Sequence, residues 1–188
     1  MYKLGLIISS HGIVLGMSLM RGNWVEFTVN RRLLKQAHTT ILTAFGRFRV
    51  SYLVCDSGFD GESTFEGAHR ELQAPVLCPP QRKRNPKAKH AEQTLRNARS
   101  QSPHRFRDQE LWHTALWAHE IYRQRTVVEQ VNGQLKDSPI RIHEVPRCRR
   151  GIKRLRPLCL AKLIIYNLAL NVNIAKGREI RHIKDLVA

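Results

Sequence analysis

Acid is what this sequence lacks. Its 188 residues hold fifteen Asp and Glu against 32 Lys and Arg, giving a formal charge of +17 and a pI near 10.6. Glu26 is the first acidic residue and Asp56 the first aspartate. Such an excess destabilises a compact fold by self-repulsion unless an anion offsets it, so nucleic acid is the leading partner, with a merely solubilising surface as the bland alternative. Cysteine is scarce too: Cys55, Cys78, Cys148 and Cys159 form no CxxC pair. That excludes a zinc knuckle and a disulfide framework, and leaves Cys55, Cys78 and Cys159 as small core residues of a reducing compartment. Long uninterrupted apolar runs are also missing. His11 and Gly12 break the opening "MYKLGLIISSHGIVLGMSLM", which argues against a secretory signal. Lys162, Asn167, Asn171 and Asn173 punctuate the stretch from Leu160 to Ala175, so no membrane span is expected there.

What is present suits one globular domain, with 42% hydrophobic residues. Leu4, Leu6 and Ile8 alternate with other residues, and Ile13, Leu15, Met17 and Leu19 do so again after "SSHG", which predicts a β-hairpin. Val25, Val29, Leu33 and Leu34 give "NWVEFTVNRRLLKQAHTTILTAF" a helical period, predicting a helix that crosses over the hairpin. "FRVSYLVCD" reads as a buried strand ending at Asp56, "GESTFEGAHRELQ" as a short helix, and "APVLCPP" as a strand stopped by Pro79 and Pro80. From Gln81 the composition turns basic and loses large apolar residues, which marks a basic insertion. Helical periodicity resumes from Leu111 through Leu135. After Pro157 it puts Leu160, Ile164, Leu168 and Val172 on the stripe of a final buried helix.

The segment "YRQRTVVEQVNGQLKD" carries the chemistry. At about 100° per residue, one continuous helix would hold Tyr122, Arg125, Glu129 and Lys136 within an arc of roughly 60°, opposite Val127, Val128, Val131 and Leu135. Gly133 falls beside Glu129. A glycine inside a helix costs about 1 kcal/mol against alanine, which suggests that something bulky approaches the backbone there. The bland account is a solvated face on which Arg125 and Glu129 form an i,i+4 pair.

The spacing Tyr122, Arg125, Glu129, Lys136 resembles the signature around the last catalytic carboxylate of bacterial insertion-sequence transposases of the DDE type. "CDSGFDGE" at 55–62 is similar to their segment around the second aspartate, although Ser57 stands where the family often carries lysine. The resemblance implies an α/β, RNase H-like mixed sheet flanked by helices, here lacking its first, central strand. It implies a partial catalytic domain over 1–176 with a basic insertion at 81–110, followed by a basic C-terminal tail at 177–188. In such enzymes three carboxylates hold two divalent ions, Mg²⁺ or Mn²⁺, for cleavage and strand transfer at element ends.

By this resemblance Asp56 and Glu129 are the second and third catalytic, metal-binding carboxylates, and the first aspartate is absent. Tyr122, Arg125 and Lys136 would grip DNA phosphates. Asp60 is the rival to Asp56, but its place before Gly61 suits a turn or cap. Arg149, Arg150, Lys153 and Arg154, in "RCRRGIKRLR", would make backbone contacts without sequence preference, as would "QRKR". Trp112 and Trp117 fit core better than base stacking, and His113 and His119 share no helical face on which to bind a metal. The partners implied are double-stranded DNA, at element ends and target, and further transposase chains, as a homo-oligomer or with full-length transposase. No membrane is implied, and the location is cytoplasmic, associated with the nucleoid. The expectation is a truncated, inactive portion of a transposase. The alternatives are a non-enzymatic DNA-binding remnant or regulator of transposition, and a basic RNA-binding module.

Overall fold

The computed structural model describes residues 2–21, 30–46, 49–80, 102–137, 140–144 and 151–179. They fall into two compact units, 1–22 with 126–188, and 23–125.

The first unit opens with the predicted hairpin, β1 (Tyr2–Ile8) antiparallel to β2 (Val14–Arg21). Alternation is satisfied across the ladder, where Leu4 faces Leu19 and Leu6 faces Met17. The turn is closed by Ser9 N–H to Ile13 O at 2.8 Å and Gly12 N–H to Ser9 O at 2.9 Å. Gly12 has φ +89°, so the backbone calls for glycine, although a Cβ there would make only ordinary contact with Val131 Cγ2 at 3.4 Å. Val14, Met17, Val131, Leu135, Cys159, Leu163, Tyr166 and Leu170 form the core of this unit.

Its long helix (Ile152–Ala175) corrects the sequence in three ways. It begins before Pro157 and carries that proline within it. It buries Leu155, Cys159, Leu163, Tyr166 and Leu170, whereas the expected stripe of Leu160, Ile164, Leu168 and Val172 is exposed. The helix is apolar on more than one face, so periodicity could not choose between stripes. Hydrogen bonds do choose: Asn167 reaches both backbone groups of Val14 at 2.9 Å, and the Tyr166 hydroxyl donates to Gln134 Oε1 at 3.0 Å. By length and composition the helix is also apolar enough to cross a membrane, contrary to the expectation drawn from its polar residues. Its inward face instead meets β2 and the core of this unit.

In the second unit α1 (Asn30–Phe45) buries Leu33, Leu34, Ala37 and Ile41. It packs against α2 (Glu62–Leu72), the expected short helix. Their approach is close: a Cβ on Gly67 would stand 2.9 Å from Leu34 Cδ1. Residues 22–29, which include the Val25 and Val29 of the predicted helix, lie outside the described residues.

The strand β3 (Leu53–Val54) pairs in parallel with β4 (Val76–Leu77), and α2 is the crossover between them. Phe65, Ala68, Val76 and Cys78 pack together beneath this ladder. The α/β class expected from the sequence is thus observed. Among the described residues, however, the strands make two separate two-stranded ladders where one mixed sheet was expected.

Next comes α3 (Pro103–Thr114), with Pro103 in its first turn. Its Asp108 is fully buried and accepts from Val76 N–H and from His69 Nε2, each at 2.8 Å, which ties the helix to β4. A short helix α4 (Leu116–Tyr122) and a 3-10 turn (Arg123–Arg125) complete the unit. The helix after that turn is α5 (Thr126–Lys136), and the long helix Ile152–Ala175 is α6.

Candidate DNA-end site

The periodicity that predicts one helix from Leu111 to Leu135 overlooks two breaks. Ala115 is extended, at φ −96° and ψ 110°, and Arg123–Arg125 tightens into a 3-10 turn. Tyr122 therefore ends one helix, Arg125 closes the 3-10 turn, and Glu129 and Lys136 stand on the next helix, where one continuous helix was expected. The candidate residues belong to two groups, one in each unit.

The first group surrounds Asp56. Cys55 N–H bonds to Leu77 O at 3.0 Å, carrying the parallel pairing one residue past β3, so Asp56 emerges where the strand ends. Asp56 caps the 3-10 turn Ser57–Phe59: its Oδ1 accepts from Ser57 N–H at 2.7 Å. Arg125 Nη1 lies 3.4 Å from the same oxygen, and the two side chains are 36% and 58% exposed. The Arg125 guanidinium sits over the Tyr122 ring, 5.8 Å from its centroid. Tyr122 in turn meets Trp112 edge-on at 4.8 Å and packs on the cluster of Leu77, Trp112 and Ala118. Burial pushes the Tyr122 hydroxyl up from its ordinary pKa; Arg125 opposes that shift and Asp56 adds to it.

The second group is on α5. Glu129 in its first turn and Lys136 in its last are both exposed and lie seven residues apart, about 20° from exact eclipse. Val131 and Leu135 are buried on the other side. A Cβ on Gly133 would meet nothing within 4 Å. A carboxylate early in a helix and an ammonium late in it also complement the helix dipole, the ordinary structural reason for such placement.

The remaining candidates divide clearly. Asp60 is locked: Arg105 Nη2 and Nε lie 3.0 and 3.1 Å from its Oδ1, and Gln109 Nε2 donates at 2.9 Å. Its side chain is 3% exposed, which fits the turn role and not that of a ligand. Trp112 is core, while Trp117 is exposed and lies against Tyr52 with ring centroids 5.2 Å apart. Lys153 and Arg154 are exposed in the first turn of α6. Arg149, Arg150 and the "QRKR" run lie outside the described residues.

Sequence reasoning missed Arg105, Gln109 and Asp108, the side chains that fix the Asp56 loop and β4 to α3. The spacing of Arg105 and Gln109, i and i+4, was visible, but nothing in the chain marked Asp60 as their target.

A family profile described as a transposase DDE domain matches residues 1–168. The chain belongs to the DDE transposase family. No curated protein matches it, and no solved structure does. Membership gives the protein a transposase role with DNA as substrate, and the family in general uses divalent metal.

Asp56 and Glu129 are oxygen donors of the kind such ions take. The described residues nonetheless do not fit a completed centre. No group of three His, Cys, Asp or Glu is assembled among them, and Asp56 Oδ1 already serves Ser57 N–H and Arg125.

Proposed function

We propose that this chain is part of the catalytic domain of an insertion-sequence transposase, RNase H-like in plan, and that Arg125, beside Asp56, grips a phosphate of element-end DNA. The observation that carries the reading is the 3.4 Å approach of Arg125 to Asp56, with Tyr122 beneath the guanidinium. Residues nearly seventy positions apart in sequence, matched separately to the family's two motifs, meet at the end of a strand. The order of elements supports the same plan: a hairpin, then β-α-β with a parallel ladder, then helices bearing the last carboxylate.

In this reading Asp56 and Glu129 are the second and third carboxylates of the triad, and would be the oxygen ligands of Mg²⁺ or Mn²⁺ in a completed enzyme. Arg125 offers a planar fork to a phosphate, and Tyr122 holds that fork by its ring. Lys136 supplies a point charge on the Glu129 face of α5. Lys153 and Arg154, with Arg149 and Arg150, add backbone contacts that carry no sequence information. The 188 residues contribute two triad carboxylates, so the chain by itself binds duplex DNA and does not cut it.

A cleavage assay on supercoiled plasmid with Mg²⁺ or Mn²⁺, run beside a binding assay, tests this. Binding without nicking is expected. Nicking that disappears in Glu129→Ala would overturn the incompleteness while supporting the residue roles. Failure to bind DNA at low salt would overturn the reading itself.

A further inference from the structure

We propose that the outward face of α6 is a self-association surface, on which a second copy of this chain packs its own α6 antiparallel about a two-fold axis at Leu168. The inference goes beyond the DNA-end reading and does not depend on it.

The helix places its side chains against the usual order. Polar residues turn inward: Asn167 bonds both backbone groups of Val14, Asn173 is buried, and Lys162 Nζ reaches the carbonyls of Arg141 and Glu144. Apolar residues turn outward. Leu160, Ile164 and Val172 are exposed, as are Ile165 at 56% and Leu168 at 58%. At about 100° per residue these five follow one another across roughly 140° of the helix surface. Between Leu160 and Ala175, Asn171 is the one polar residue on that arc, and it lies near an edge. A contiguous apolar patch of this kind marks an interaction site.

The middle of the face reads the same in both directions. Ala161, Ile164, Leu168, Val172 and Ala175, all exposed, are spaced by three, four, four and three residues. About Leu168, Ala161 mirrors Ala175 and Ile164 mirrors Val172. An interface between two identical copies needs a patch that complements itself. In an antiparallel pair Leu168 meets its own copy, Ile164 meets Val172 of the second copy, and alanine meets alanine towards each end, where small side chains let the helices close together.

Charge selects the same direction. α6 contains no acidic residue, and its first turns expose Lys153, Arg154 and Arg156. Parallel pairing would set these cations against their copies. Antiparallel pairing brings each basic end to the carbonyl end of the other helix, where the helix dipole favours it. A bilayer suits the helix less well, because spanning it would carry Lys162 and Asn167 into hydrocarbon without their present partners. One helix face per copy lies at the low end of specific interface sizes, below about 1,200 Å² in total, so a dissociation constant on the order of micromolar is expected.

The test is sedimentation equilibrium of the nuclease-treated 188-residue chain at about 0.1 M and about 0.5 M salt. A reversible monomer–dimer equilibrium is expected that tightens with salt, because screening relieves the repulsion between two chains of charge +17 while leaving apolar contact intact. Ile164→Glu and Leu168→Glu should each weaken the dimer by about tenfold or more, with circular dichroism unchanged because both side chains are exposed. As a second measurement, Leu168→Cys should be trapped as a disulfide-linked dimer under mild oxidation faster than the parent or Leu160→Cys, whose position is at the edge of the face.

A chain that stays monomeric at about one hundred times that constant would overturn the proposal, as would a dimer indifferent to both glutamate variants. Equal trapping of Leu160→Cys and Leu168→Cys would overturn the two-fold pairing. Flotation of a monomeric parent with anionic phospholipid vesicles, lost in the glutamate variants, would assign the face to lipid and overturn the proposal as well.

Discussion

Arg105 forks onto Asp60, with Nη2 at 3.0 Å and Nε at 3.1 Å from one carboxylate oxygen, and so fastens the loop after β3 to α3. Asp56 lies in that loop four residues earlier, already oriented by its own bond to Ser57 N–H. The nearly buried Asp60 fastens the loop, while the Asp56 side chain stays 58% exposed.

Removing Asp60 should therefore damage the fold. Asp60→Ala removes the nearly buried acceptor shared by Arg105 and Gln109, which are themselves partly exposed. Losing hydrogen bonds to a charged group costs about 1.5–3 kcal/mol. A fall of about 1 M or more in the urea midpoint is expected. Asp56→Ala, at a side chain 58% exposed, should move the midpoint far less. Equal midpoints for the two variants would contradict the division of roles.

The corrected stripe of α6 makes a second comparison. Leu163 is 2% exposed and belongs to the core of β2, α5 and α6, whereas its neighbour Ile164 is 50% exposed. Leu163→Ala should cost about 2–5 kcal/mol and Ile164→Ala under about 1 kcal/mol. Thermal unfolding of the two variants reads the difference directly. The reverse order would restore the stripe that the sequence suggests.

How much could be read in advance follows from local chemistry. The hairpin was legible because strict alternation over β1 and β2 is broken at a glycine with positive φ, and α2 because its apolar residues keep one period between a glycine and a left-handed Gln73. The break at Arg123–Arg125 was not, since neither glycine nor proline marks it. The buried stripe of α6 was not, because a helix apolar on several faces gives periodicity nothing to choose between; Asn167 and Tyr166 choose through partners distant in sequence. At the candidate site, the meeting of Asp56, Arg125 and Tyr122 was implied only by the family's spacing. The locking of Asp60 by α3 depends on tertiary contacts that no local pattern encodes.

Gly133 offers a stability gain whose loss elsewhere is informative. With nothing within 4 Å of a new Cβ, Gly133→Ala should stabilise α5 by up to about 1 kcal/mol, seen as a higher thermal midpoint. If DNA approaches the backbone beside Glu129, the same variant should bind duplex more weakly. Higher stability with unchanged binding would make the glycine incidental.

The thiols beneath the Asp56 strand predict a pH dependence. Burial, with the Asp56 charge second, pushes Cys55 from its ordinary value near 9.0 up to about 12, and burial pushes Cys78 upward as well. The unfolded chain therefore loses these protons first as pH rises. Their stabilising contribution is complete below pH 9 and is lost progressively between about 9 and 12. Denaturant midpoints measured across about pH 8 to 11 should fall in the parent and fall less steeply in Cys55→Ala. Parallel curves would contradict the assignment.

The central claim is that the cluster at the end of β3 grips a DNA phosphate. Its most direct test is the salt dependence of duplex binding, measured by fluorescence anisotropy for the parent and for Arg125→Gln. If Arg125 neutralises one phosphate, the variant should bind more weakly, and the slope of log affinity against log salt should shrink by about 0.9. An Arg125→Gln protein with the parent's affinity and slope would contradict the claim.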